Sequence, residues 1–129
     1  MKSFEIQDAI RARLAGDVTL SGLSTGVFDN VPPGQPTPYV QLGDTTEAPD
    51  DLLIERGAQT TYTLHIWDDQ PSFKRVKQIM DRTQFLLHDQ PLTVAGTQIV
   101  RVRVEFSQTF REEAWRRGLV RVRLDVFGS

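Results

Sequence analysis

Two stretches decide the fold: QIVRVRVEFS (98–107) and RGLVRVRLDVF (117–127). In the first, Val100, Val102, Val104 and Phe106 alternate with Arg101, Arg103, Glu105 and Ser107. In the second, Val120, Val122, Leu124 and Val126 alternate with Arg117, Leu119, Arg121, Arg123 and Asp125. Side chains of a strand point to opposite faces with a period of two, so each stretch is a strand with one apolar and one charged face. The segment EEAWRR (112–117) turns the chain between them and makes a long hairpin. A sheet built on this hairpin buries one face and turns its charged face to water or to a partner.

Working outward, Ala58–Trp67 is a third strand, with Tyr62, Leu64 and Ile66 on one side and Thr61, Thr63, His65 and Trp67 on the other. Tyr39–Asp44 alternates and is a fourth, and Gly26–Val31 is a short candidate. PPGQPTP (32–38) between them excludes helix and sheet interior. TTEAPDDLLIERG (45–57) reads as a long polar loop, a length that is uncommon without a function. Leu92–Val94 and Thr97 onward flank Ala95-Gly96, a tight-turn signal.

Two helices complete the pattern. Residues 3–15 carry Ile6, Ile10 and Leu14 at helical spacing, with Ser3 as N-cap and Gly16 as stop. Phe73, Val76, Met80, Thr83 and Leu87, widened by Ile79 and Leu86, form a second apolar stripe. Asp68 and Asp69 are candidate caps for that helix, which ends near His88 or Asp89. The expectation is one α+β domain over 1–129: an antiparallel sheet with two helices packed on one face.

The chain has 129 residues, 39% hydrophobic and 25% charged, which is ample for one packed core. It has no cysteine, which excludes disulfides and thiol nucleophiles and fits synthesis in a reducing cytoplasm. No apolar run approaches the ~20 residues that span a bilayer, and no membrane partner is expected. The net charge of −2 conceals a split: residues 1–70 carry 4 basic and 11 acidic groups, and residues 71–129 carry 11 basic and 6 acidic. Such asymmetry bears on association.

Catalytic and cofactor signatures are lacking. There is no G-x-S-x-G elbow, no paired histidines at metal-ligand spacing and no glycine-rich phosphate loop, so no enzyme activity, metal or cofactor is expected. His65 reads as a sheet-face histidine, and His88 as a cation suited to a helix C-terminus. Pro33-Gly-Gln-Pro36 matches P-x-x-P, with a stiff loop as its simplest reading. The candidate site is instead a surface for subunit contact: Arg101, Arg103, Arg117, Arg121 and Arg123 with Trp115 on one side, and Asp44, Glu47, Asp50, Asp51 and Glu55 as an acidic counterpart. A contact between two different patches of identical chains closes into a ring when the rotation allows. The same arginines are compatible with phosphate binding, although Glu105 and Asp125 share their face.

VFDNVPPGQPTPYVQLGD (27–44), ERGAQTTYTLHIWDD (55–69), VKQIM (76–80), LLHDQPLTVAG (86–96) and RVRVEF (101–106) follow one another after an N-terminal helix. In this content and order the chain resembles the tail-completion, or tail terminator, proteins of long-tailed bacteriophages, prophages and gene transfer agents. The resemblance implies a structural role. Such a protein forms a hexameric ring that caps the tail tube and joins it to the head connector. The implied partners are copies of itself (monomeric in dilute solution, assembling on the tail), the tail tube protein and the head–tail connector protein, with DNA crossing the lumen without sequence-specific binding. The implied location is the head–tail junction of a virion synthesised in a bacterial cytoplasm. Alternatives are another neck component, such as a connector stopper, or a nucleic-acid-binding accessory protein.

Overall fold

The computed structural model describes residues 3–50, 57–90, 92–93 and 99–126, of which 3, 44–50, 57–59, 93, 99–100 and 126 are described by backbone alone. The elements are α1 (Ser3–Ala15), α2 (Val18–Leu23), β1 (Val27–Phe28), β2 (Tyr39–Asp50), β3 (Gly57–Asp68), α3 (Lys74–Leu87), β4 (Leu92–Thr93), β5 (Ile99–Glu112) and β6 (Trp115–Val126). The strands form one six-stranded sheet in the order β1-β2-β3-β6-β5-β4. All three helices cover the same face, giving the expected α+β layers.

The core is where the apolar periodicities meet. Tyr62, Leu64 and Ile66 of β3 and Val120, Val122 and Leu124 of β6 are buried against Ile6, Ile10 and Leu14 of α1 and Val76, Ile79 and Leu87 of α3. Gly118 lies on this face beneath α3. A Cβ there would come within 2.6 Å of Met80 Sδ and 2.8 Å of Val76 Cγ1, so only glycine lets the helix sit this close.

Two ion pairs lock the helical layer. Asp17 caps α2 by accepting the Leu20 N–H at 2.8 Å, and both its oxygens accept from Arg82 of α3 at 2.8 Å. The Arg82 hydrogen bonds, helped by the Leu20 N–H and opposed by burial, lower the Asp17 pKa from 3.8 to about 2. Asp68, fully buried at the end of β3, accepts two hydrogen bonds from Arg75. Arg13 of α1 donates to the Gln90 carbonyl at 3.0 Å beyond the end of α3.

Several expectations are corrected. The sheet is not wholly antiparallel, because β1 pairs with β2 in parallel, and β1 spans only Val27–Phe28 of the Gly26–Val31 candidate. A third helix, α2, follows α1, beyond the two helices expected. Its single buried residue, Leu20, gives no helical period to detect, and the Asp17 cap fixes it. Asp68 and Asp69 do not cap α3, which begins after Phe73. Ser72 Oγ accepts the Lys74 N–H instead, while Asp69 accepts from Thr37 Oγ1. Phe73 is partly exposed at that helix start rather than part of the buried stripe.

The 45–57 loop is also corrected. Thr45–Asp50 continue β2 and Gly57 opens β3, with pairs from Thr45–Tyr62 to Asp50–Gly57. The ladder overrides polar composition here. Pro49 is tolerated because β1 reaches only Val40 and Gln41, and among the described residues nothing pairs with the far side of β2 at Pro49. The remainder of that loop (51–56) and the Ala95-Gly96 turn lie outside the described residues.

Candidate subunit interface on the outer sheet face

The face away from the helices is built from odd-numbered residues of β3 and β6. Cross-strand register places Thr61 beside Arg123, Thr63 beside Arg121, His65 beside Leu119 and Trp67 beside Arg117. On β5 the alternation slips. Val104 pairs with Val122 but Phe106 pairs with Arg121, so Glu105 is an extra residue, a β-bulge. Phe106, expected on the apolar face, therefore stands on the outer face, 42% exposed, with the Arg121 guanidinium 5.3 Å from its ring centroid. Phe110 follows it onto the same face beside Arg117.

Near the β5–β6 turn these register choices assemble a compact polar-aromatic cluster. Arg117 donates through Nε and Nη2 to Glu112 Oε1 at 3.0 and 2.8 Å. Its Nη1 lies 3.2 Å from His65 Nδ1, which accepts because a guanidinium can only donate. The same guanidinium lies over Phe110 at 4.2 Å and over Trp67 at 5.5 Å. Trp67 stacks on His65, meets Trp115 edge-on at 5.7 Å, and donates from Nε1 to Gln41 Oε1 at 3.0 Å. Gly43 makes room for the imidazole: a Cβ there would lie 2.6 Å from His65 Cδ2. Trp115 forms the outer wall of the cluster and remains 38% exposed.

The expected arginines share the outer face but differ in their partners. Arg117 is tied to Glu112, Arg123 to Asp125 at 3.3 Å, and Arg103 reaches Asp89 only at 3.9 Å. Arg103 and Arg123 are directly opposed, an unfavourable like-charge pair that a carboxylate from elsewhere would relieve. Among the described residues, neither Arg101 nor Arg121 meets a carboxylate. The acidic counterpart is divided. Asp44, Glu47 and Asp50 lie on β2, described by backbone alone, while Asp51 and Glu55 lie outside the described residues.

Histidine 88 sits at the C-terminus of α3 and also reaches the sheet. Its Nδ1 accepts the Val104 N–H at 3.0 Å, so the end of α3 closes part of the β5 edge. The P-x-x-P segment is tied down within its own loop: Gln35 N–H donates to the Pro32 carbonyl, and Thr25 Oγ1 to the Pro36 carbonyl.

The cluster centred on Arg117 was only half visible in the sequence. Period two puts His65, Trp67, Trp115 and Arg117 on the polar face, but Gln41, Phe110 and Glu112 join them through cross-strand register and the bulge. Among the described residues, no group of histidines and carboxylates is arranged to hold a metal, and no buried side-chain polar atom lacks a partner.

Residues 8–126 match the family model described as tail completion protein gp17. No curated protein matches the chain. Among solved structures, the chain is similar to one in the virion of a native gene transfer agent particle, with a TM-score of 0.87 and 25% identity over 98% of this chain and 97% of that one. It shares its fold with the gp17 protein of bacteriophage SPP1, with a TM-score of 0.64 and 21% identity over 98% of this chain and 91% of that one.

Proposed function

The chain belongs to the gp17 family of tail completion proteins, and on that premise we propose that it closes a phage-type tail as a homo-hexameric ring, seated between the tail tube and the head connector. The observation that carries this reading is the family match across residues 8–126, supported by the likeness of nearly the whole chain to a gene transfer agent virion component. In this role the protein is structural and catalyses nothing. Its partners are its own copies, the tube protein and the connector protein, and its place is the head–tail junction.

The outer face suits such work. It offers rigid aromatic and arginine side chains, already held by neighbours, which lose little conformational freedom on docking. The acidic stretch of β2, with Asp44, Glu47 and Asp50, is the counterpart for Arg101, Arg103 and Arg121 of the next copy, with Asp51 and Glu55 extending it. A ring seated on a ring multiplies each weak contact, so individual interfaces can be small and polar. Free protein is then monomeric when dilute and assembles on the tail.

Particles produced without this protein test the role. Electron microscopy should show tails of uncontrolled length and heads lacking tails, restored by supplying the protein in trans. Complete particles of normal length in its absence would refute it. A nucleic-acid role predicts duplex binding that weakens steeply with salt. The pairing of Arg117 with Glu112 and of Arg123 with Asp125 weighs against it, and no binding at low salt is the expected result.

A further inference from the structure

The two sides of the sheet are finished in the same unusual way. On one side, β1 covers β2 only at Val40 and Gln41, a register shift follows between Leu42 and Thr45, and β2 then runs to Asp50 with no neighbour on that side among the described residues. On the other side, β4 covers β5 only at Ile99 and Val100. The end of α3 covers the next stretch, where Asp89 N–H donates to the Val102 carbonyl and Val104 N–H to His88 Nδ1. The Glu105 bulge follows, and β5 then runs from Phe106 to Glu112 with no neighbour on that side among the described residues. Each edge strand thus has a short cover, a bulge and an open stretch of similar length.

The open β5 stretch is prepared for a strand. Glu105 to Gln108 are exposed consecutively, so both faces of the strand are bare at that point. An open groove of about 290 Å³ runs beside it, lined by Lys77, Asp81 and Gln84 of α3 and by Ser107, Gln108 and Thr109. A strand laid along this edge would gain backbone hydrogen bonds on one side and the flank of α3 above it.

We propose that the open β2 edge of one copy pairs with the open β5 edge of the next, continuing the sheet from subunit to subunit. This rests on the ring reading and names its contact. Strand polarity fits. Because β2–β3, β3–β6 and β6–β5 are all antiparallel, β2 and β5 run in opposite directions, and a similarly oriented neighbour presents β2 antiparallel to β5. Charge fits as well: Asp44–Asp50 contains three carboxylates, while Arg111 lies on the open β5 stretch and Arg121, opposite Phe106 on β6, meets no carboxylate among the described residues.

The two open stretches lie at opposite ends of the sheet. Thr45–Asp50 are level with Val122–Val126, whereas Phe106–Glu112 are level with Arg121–Trp115. Successive copies are therefore displaced by roughly 20 Å along the strands, at ~3.3 Å per residue. A stagger between successive strands is what tilts them in a sheet that closes on itself.

The absence of native cysteine makes disulfide trapping clean. Thr46→Cys is combined in turn with Ser107→Cys, Gln108→Cys, Thr109→Cys and Phe110→Cys. The full-length variants are oxidised mildly at high concentration and on purified tail tubes, with assembly followed by light scattering. The expected result is covalent multimers whose yield alternates along β5, as strand register requires. As an independent check, Gln108→Pro should weaken assembly at least tenfold, with melting used to confirm an intact fold. Assemblies of normal mass that trap no pair would overturn edge pairing and leave the ring standing. Monomer under every condition, on tubes included, would overturn both.

Discussion

The two faces of the sheet obey different rules. Against the helices, Val120, Val122 and Leu124 are fully buried and interlock with α1 and α3, and Gly118 is the gap into which Met80 and Val76 fit. On the outer face, side chains are held sideways, by Glu112 on Arg117, Gln41 on Trp67 and Phe106 under Arg121, and most stay partly exposed. The first arrangement makes stability and tolerates little change. The second costs little to alter in the monomer but fixes the shape and charge that a neighbour meets.

That contrast can be broken most forcefully from the helix side. Ile66→Ala removes a fully buried side chain and should lower unfolding free energy by about 4 kcal/mol in a denaturant titration. Arg75→Leu leaves the buried Asp68 carboxylate without its partner and should cost about 3 kcal/mol by the same measurement. Gly118→Ala pushes a methyl into Met80 and Val76 and should cost about 2 kcal/mol.

Acid tests the helix side of the comparison through Asp17. Because Asp17 titrates at about 2 when folded and at 3.8 ordinarily, its contribution is complete above pH 3.8 and is lost as pH falls through about 2. The stability gap between wild type and Asp17→Asn should therefore narrow between those pH values. A gap that stays constant would show that the Arg82 contact does not discriminate between the protonation states. The smallest effect on the monomer is expected from Arg121→Glu, within about 0.5 kcal/mol of wild type in melting experiments. The same change should abolish ring assembly. A monomer that loses stability as Ile66→Ala does would place Arg121 in the core's province instead.

Much of this division was readable in the chain. Strict alternation in 98–104 and 117–126 names both faces, and the stripe from Val76 to Leu87 names the helix that covers one of them. Three features were hidden for separate physical reasons. The α2 helix is too short for periodicity and depends on the Asp17 cap. The extension of β2 through Thr45–Asp50 depends on pairing with the following strand, β3, not on its own polar residues. The cluster around Arg117 depends on register, which joins Gln41, His65, Trp67 and Glu112 from separate strands. The arginines were legible as a group, but the uneven pairing that, among the described residues, leaves Arg101 and Arg121 without carboxylates was not.

The Glu105 bulge acts as a phase shift in a two-state code. Before it, even-numbered residues of β5 are read inward; after it, odd-numbered ones are. Deleting Glu105 alone would let Phe106 follow Val104 in regular alternation opposite Arg121 and Val122, straightening the strand while Phe106 and Phe110 stay outward and Ser107 and Thr109 inward. Register with β6 thus sets which half of that segment's composition faces other molecules, and a single-codon deletion would remove the kink while leaving that outward composition unchanged.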